Sequence, residues 1–206
     1  MAAVNFDRIA PIYDLLSRLV FGRSIIDAQV HFLNRIPQGS KILILGGGTG
    51  WILSEIFEQS AGHEIWYIDS SKNMIARAKK KVESHQLVHF VVGTEDDLPA
   101  ISFDVVITNF YLDLFDDATL SGAVAKVAAV LRPGGQWLAV DFVNGSAWWQ
   151  RVLLRTMYVF FKITCGLPIS PLPDWHQALL GSAQVQEETQ NFYAGFIRSA
   201  IYRSPS

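Results

Sequence analysis

An apolar run, Ile42-Leu43-Ile44-Leu45, leads straight into Gly46-Gly47-Gly48-Thr49-Gly50, and a helix-compatible stretch begins at Trp51. Few folds accommodate such a junction. Glycine reaches positive φ and lets a ligand approach the backbone closely. The start of the following helix presents unpaired N–H groups to an anionic or polar group. The pattern therefore predicts a strand, a ligand-cradling loop and a helix in an α/β sheet. It is not a nucleotide-triphosphate loop, which needs Lys and Ser or Thr after the last glycine, whereas Trp51 follows Gly50. It also fits a dinucleotide fingerprint poorly. With Gly46 and Gly48 as the first pair, the third small residue falls on Trp51, whose indole opposes close helix–strand packing. Asp69 ends the next predicted strand, and its carboxylate has the acceptors to bind two ribose hydroxyls. Asp also caps helices well, with Ser70 or Ser71 as the alternative cap.

Composition sets the scale around this loop. The chain has 206 residues, half of them apolar, with 17 basic and 19 acidic side chains. That length suits one domain with a substantial core. Disordered and fibrous classes are excluded by the apolar and aromatic content. A net charge of -2 gives no reason to expect nucleic acid. The single cysteine, Cys165, rules out an internal disulfide and a multi-cysteine zinc site, and reads as a small packing residue. The opening residues, Met1–Arg8, carry polar and acidic groups and do not resemble a secretory leader. Nor does an apolar span of about 18 residues occur, so no transmembrane helix is expected.

Along the chain, residues 1–38 read as an N-terminal helical cap region, with one helical pattern over Ser24–Ile36. Strands are predicted at Lys41–Leu45, Glu64–Ile68, Leu87–Val92, Phe103–Thr108 and Trp137–Phe142. Helices are predicted at Trp51–Gln59, Lys72–Glu83 and Ala118–Leu131, with a turn at Pro133–Gly135. The ten-residue link between the third and fourth strands is too short for a long crossover helix. Strand–helix alternation implies a largely parallel sheet covered on both faces. Residues 144–181 read as a helical insert or lid. Its main helix, Ala147–Cys165, groups Arg151, Arg155 and Lys162 on one stripe among many apolar residues. Core packing, a lid, a dimer surface and a membrane-surface helix all suit that pattern. A short helix at Asp174–Leu180 and closing strands at Val185–Phe192 and Phe196–Tyr202 complete the chain, with Gly195 in the last turn.

At this point the sequence resembles the class I S-adenosylmethionine-dependent methyltransferases, from about Asn5 to Arg203, and looks closest to the branch acting on quinone precursors and other small molecules. The resemblance is carried by the glycine loop, by Tyr67-Ile68-Asp69-Ser70-Ser71 with Asn73-Met74, and by Phe103-Asp104-Val105-Val106-Ile107-Thr108-Asn109-Phe110. Leu131-Arg132-Pro133-Gly134-Gly135 and the opening Phe6–Asp14 add to it. It implies a Rossmann-like, seven-stranded, mostly parallel sheet with a C-terminal antiparallel strand pair. The implied cofactor is S-adenosylmethionine, held by Tyr13, Gly46, Gly47, Gly48, Gly50, Asp69, Ser70, Met74, Thr94, Glu95, Asp96, Asn109 and Phe110. Two positions depart from the family pattern. Ile44 stands where an acidic residue usually precedes the first glycine by two. Thr94 replaces an Asp that often reads the adenine amino group, leaving Glu95 or Asp96 to take over.

Methyl transfer needs an electron-rich atom in line with the sulfonium methyl, and enclosure and alignment supply much of the rate. His176, Tyr111 and Asn109 are the catalytic candidates: His176, Tyr111 or a carboxylate to assist deprotonation of an acidic phenol or enol-like acceptor, Asn109 to hydrogen-bond at the reacting centre. No metal is expected. Asn109 followed by an aromatic does not match the Asn-Pro-Pro-Tyr-type motif of amino-directed enzymes. The aromatic insert and Pro168–Trp175 suggest a small apolar or aromatic acceptor. The predicted protein is a cytoplasmic methyltransferase, monomeric or homodimeric, with room for peripheral membrane contact. A noncatalytic cofactor-binding scaffold is the alternative, and an NAD-linked oxidoreductase the third reading.

Overall fold

The computed structural model describes residues 19–83, 87–145, 147–166 and 171–205. Residues 1–18 of the predicted cap region, Tyr13 among them, lie outside the described residues, as does the side chain of Cys165. Helix α1 (Ser24–Val30) precedes strand β1 (Lys41–Leu45), helix α2 (Trp51–Gln59) and strand β2 (Glu64–Asp69). Helix α3 (Lys72–Lys79) leads to β3 (Leu87–Val92), and β4 (Phe103–Asn109) follows with no helix between β3 and β4. Then come α4 (Asp117–Val130), β5 (Leu131–Phe142), α5 (Trp148–Cys165), α6 (Trp175–Gly181), β6 (Val185–Phe192) and β7 (Ile197–Arg203).

All seven strands form one sheet in the order β3-β2-β1-β4-β5-β7-β6. The first five run parallel, and β7 lies antiparallel to both β5 and β6. This is the predicted Rossmann-like sheet with its antiparallel edge. The strand order reverses between β1 and β4, so their carboxyl ends open a crevice where α/β sheets bind ligands. Side chains alternate across the sheet. Ile42, Ile44, Tyr67, Val105 and Ile107 pack under α2 and α3, while Leu43, Leu45, Val106, Trp137 and Tyr202 pack under α4 and α6. Burial on both faces explains why the central strands read as continuous apolar runs.

Three boundaries differ from expectation. The Ser24–Ile36 pattern breaks after Val30 and resumes as a 3₁₀ turn at Leu33–Arg35, which lets Phe32, Leu33 and Ile36 all reach the core. Helix α3 stops at Lys79 rather than Glu83, tightening through Lys80 N–H and Lys81 N–H donating to Arg77 and Ala78 carbonyls. The Pro133–Gly135 turn sits inside β5 as an irregularity, because Gly134 holds φ 69° and the β4–β5 register shifts between Phe103 and Val105.

Candidate functional site

The glycine loop spans the mouth of the crevice. Gly46 N–H donates to the Ile68 carbonyl at 3.0 Å, which ties the loop to β2. Each glycine meets a different demand. A Cβ on Gly46 would lie 2.7 Å from Tyr111 Cδ2, and one on Gly50 would lie 2.6 Å from Ala78 Cα. A Cβ on Gly47 would fall on the Tyr67 ring, whose hydroxyl donates to the Gly47 and Gly48 carbonyls. Gly48 differs: its φ is +66° and nothing lies within 4 Å of its Cβ position. Its space is open to a ligand, while its neighbours are glycines because the protein itself fills theirs. Gly50, not position 51, supplies the close approach of α2 to α3.

Asp69 sits at the end of β2, only 8% exposed. One carboxylate oxygen accepts from Gly48 N–H at 2.8 Å, the other from Ser71 N–H at 2.8 Å. Asp69 therefore braces the open glycine directly. Ser71, not Ser70, caps α3, accepting from Met74 N–H at 3.1 Å. Ser70 is exposed and Met74 is buried beside it.

The β3–β4 link closes on itself. Thr94 Oγ1 accepts from Asp96 N–H at 3.3 Å, and Thr94 N–H donates to Asp97 Oδ2 at 3.0 Å. Asp96 turns outward to an ion pair with Lys126 of α4, which lowers its pKa by hydrogen bonding and charge attraction. Glu95 turns inward. Its Oε2 accepts from Tyr111 O–H at 2.6 Å, and the Tyr111 ring lies against Gly46. Of the acidic pair after Thr94, only Glu95 faces the loop. Burial, with the Glu95 carboxylate second, pushes the Tyr111 hydroxyl far above its ordinary pKa, which removes it as a base.

Beyond β4, Phe110 holds φ 52°, a left-handed conformation that a non-glycine adopts at a cost. Its N–H donates to the Val140 carbonyl at 2.7 Å and its ring packs tilted against Phe142, with centroids 4.8 Å apart. Asn109 Oδ1 is buried with no partner. The sequence gives no hint of Asp141, which is fully buried in β5. It accepts from the N–H groups of Leu112 at 2.9 Å, Asp113 at 3.1 Å and Phe142 at 2.8 Å. These bonds pin the turn after β4 to β5. Burial raises the pKa of Asp113 to about 7 and raises that of Asp141, which also feels Asp113.

His176 is not brought to this cluster. Its Nδ1 is 2.6 Å from the hydroxyl of Tyr202, whose strand position is opposite Trp137, midway along β5 and five residues before its end. Ile44 is buried in the core and contributes nothing to the loop surface. Among the described residues, no group of three or more His, Cys, Asp or Glu side chains is placed to hold a metal.

Comparison with known proteins bears on the same elements. Residues 42–135, from β1 into β5, match the model of a methyltransferase domain. The chain is 27% identical over 205 residues to the ubiquinone/menaquinone biosynthesis C-methyltransferase UbiE of Rubrivivax gelatinosus, covering 97% of this chain and 78% of that protein. It is 31% identical over 173 residues to the demethylmenaquinone methyltransferase of Leptospira interrogans, covering 77% of this chain and 66% of that one. The chain is a class I S-adenosylmethionine-dependent methyltransferase. It stands near the quinone-biosynthesis branch of that family. The fold of the Burkholderia thailandensis 1,6-didemethyltoxoflavin-N1-methyltransferase, solved with its acceptor and S-adenosylhomocysteine, overlays with a TM-score of 0.67 at 16% identity, covering 96% of this chain and 88% of that one. The methyltransferase cofactor is S-adenosylmethionine. The open space over Gly48, with Asp69 bonded to its N–H, fits that cofactor without displacement of any side chain at that point.

Proposed function

We propose that this methyltransferase modifies a small apolar or aromatic acceptor, seated where β4 and β5 end beneath α5. The observation that carries this reading is the apolar wall beside the cofactor loop. Phe110, Phe142 and Phe196 meet there under Leu153, Leu154 and Met157 of α5. In this reading residues 144–181 act as a lid within a single domain over 1–206, and residues 1–38 as a cap. Gln150 anchors the lid. It is buried, donates to the Ala194 carbonyl at 3.0 Å and accepts from Ala147 N–H at 3.2 Å.

Gly46, Gly47, Gly48 and Gly50 shape the cofactor cradle, and Asp69 takes the ribose hydroxyls. Ser70, Met74 and Glu95 line the same side, Thr94 shapes the link, and Asn109 and Phe110 border the methyl-transfer side. When bound, S-adenosylmethionine supplies an electrophilic methyl group on a sulfonium. The chain's own residues orient the acceptor and exclude water from the crevice. His176 and Asp96 are spent on Tyr202 and Lys126, so neither takes a role in this scheme.

The outward face of α5 supports peripheral membrane contact of a cytoplasmic enzyme. Trp148, Val152, Val159 and Ile163 are exposed along one ridge, with Trp148 at 70% and Ile163 at 75%. Arg151, Arg155 and Lys162 flank that ridge and are exposed too, and α5 contains no acidic residue. Such a face suits an anionic lipid surface. Among the described residues, no helix is long and apolar enough to cross a membrane.

Isothermal titration with S-adenosylmethionine, S-adenosylhomocysteine and NAD tests the assignment. Saturable binding of the first two, weakened by Asp69→Ala, followed by methyl transfer to members of an aromatic acceptor panel, is expected. Preference for NAD, or cofactor binding unaffected by Asp69→Ala, would overturn it.

A further inference from the structure

Three consecutive residues of β2 hold the glycine loop. Gly46 N–H and Gly47 N–H both donate to the Ile68 carbonyl, at 3.0 and 3.4 Å. Tyr67 and Asp69 stand two residues apart in the strand and therefore share one face. They take opposite edges of a single peptide unit. The Tyr67 hydroxyl donates to the Gly47 carbonyl, with the Gly48 carbonyl 3.2 Å away, and Asp69 Oδ2 accepts from Gly48 N–H at 2.8 Å. In a trans peptide the C=O and the N–H point opposite ways, so the Gly47–Gly48 plane is gripped on both sides. Successive glycines leave such a plane free to turn unless something outside the loop fixes it. A turned plane would carry Gly48 N–H away from Asp69 and bring a carbonyl toward its carboxylate. The plane as held sets the backbone at Gly48, where φ is +66° and the space above Cα is open.

The hydroxyl is the informative part of Tyr67. Ile44, two residues before Gly46 in β1, is apolar, and its register partner in β2 is Tyr67. The Tyr67 side chain is fully buried, and its ring lies where a Gly47 side chain would stand. A phenylalanine would pack equally well against Phe90, whose ring centroid is 5.5 Å away. Only the hydroxyl reaches the loop carbonyls. We propose that Tyr67 is a positioning residue for S-adenosylmethionine: it fixes the Gly47–Gly48 peptide unit, so that Gly48 and Asp69 stand in their binding geometry before the cofactor arrives. This rests on the cradle assigned above to Gly48 and Asp69. Tyr67 acts through the loop, and it raises affinity by removing an ordering cost from binding.

Calorimetry of the full chain with S-adenosylhomocysteine tests the role. Tyr67→Phe keeps the ring and should weaken binding about three- to tenfold, the effect of one neutral hydrogen bond. Tyr202→Phe is the matched control, because Tyr202 is also fully buried and its hydroxyl meets His176 Nδ1 at 2.6 Å. It should bind within about twofold of the wild type, whatever its Tm. In the Asp69→Ala background the peptide unit is already released at its N–H edge, so there Tyr67→Phe should cost less than about twofold. Amide exchange reads the same device in the free protein: Gly48 N–H should lose protection in Tyr67→Phe, while Gly46 N–H, held by Ile68, should keep it. Wild-type affinity in Tyr67→Phe, an equal loss in Tyr202→Phe, full additivity with Asp69→Ala, or unchanged protection at Gly48 would overturn the proposal. Failure of the wild type to bind S-adenosylhomocysteine would instead overturn the cradle assignment, and this one with it.

Discussion

At Gly48 an added methyl group meets no atom within 4 Å, but the backbone stands at φ +66°. Gly48→Ala should therefore cost only about 1–2 kcal/mol of stability, the left-handed penalty of an L-residue. Its effect on S-adenosylmethionine should be larger, since the methyl occupies the space left for the ligand. Loss of affinity by tenfold or more in calorimetry, with a small fall in Tm, is the expected pair of results. Gly47→Ala should do the reverse and cripple folding, because its methyl would fall on the Tyr67 ring. At Asp113 the sign of the pH effect follows from burial. The native carboxyl holds its proton up to about pH 7, whereas an unfolded one releases it near 3.8. Between those values the native state binds more protons, so stability falls as pH rises, by at most about 1.4 kcal/mol per unit. Asp113→Asn should flatten that slope in chemical denaturation run from pH 4 to 8. A steeper slope in the variant would contradict the burial argument.

Helix α5 shows how one element serves two surfaces. Its inner residues, Leu153, Leu154 and Met157, pack on Val140, Phe142 and Phe196, and its buried Gln150 satisfies the turn Tyr193–Gly195. Gln150→Ala strands the Ala194 carbonyl and the Ala147 N–H, and should cost about 1–3 kcal/mol. The outer residues contribute nothing to the core, so replacing Arg151, Arg155 and Lys162 by Glu should leave Tm almost unchanged. The same triple variant should lose co-sedimentation with phosphatidylserine-containing vesicles, while vesicles of phosphatidylcholine alone should bind neither form. Retained binding by the variant would move this face to a dimer contact, which sedimentation velocity would then detect. Hydrophobic periodicity located α5 well. It did not say which stripe faces inward, because apolar residues cover most of the helix circumference.

The whole molecule is one continuous sheet, so a ligand held at its crevice should stabilise all of it. Cofactor at 100 times its dissociation constant adds about 2.7 kcal/mol. For a chain of this size that corresponds to a rise in Tm on the order of 5–10 °C. Asp69→Ala should remove most of the rise, a result readable by thermal shift. At this scale much was legible from the sequence. Strand–helix alternation, the glycine junction and the closing pair at residues 185–203 specify the sheet, since each is a local pattern of period or turn chemistry. The acidic residue at the end of β2 was legible for the same reason: it ends an apolar run beside a known loop. What the sequence could not rank were residues whose roles depend on partners far along the chain. Tyr67 reads as one more strand residue, yet its hydroxyl holds two loop carbonyls some twenty positions away. Glu95 and Asp96 are adjacent acids, and only packing against Tyr111 and Lys126 separates the one facing the loop from the one facing solvent. His176 looked apt because it neighbours an aromatic segment, but Tyr202 claims its ring. Asp141 was invisible as a charge within an apolar strand. Backbone pattern and glycine placement are properties of neighbours in sequence, so the chain alone determined the fold and the cofactor loop. Hydrogen-bond pairing and burial of charge belong to neighbours in space, so only the tertiary structure decided which acids and hydroxyls face the crevice.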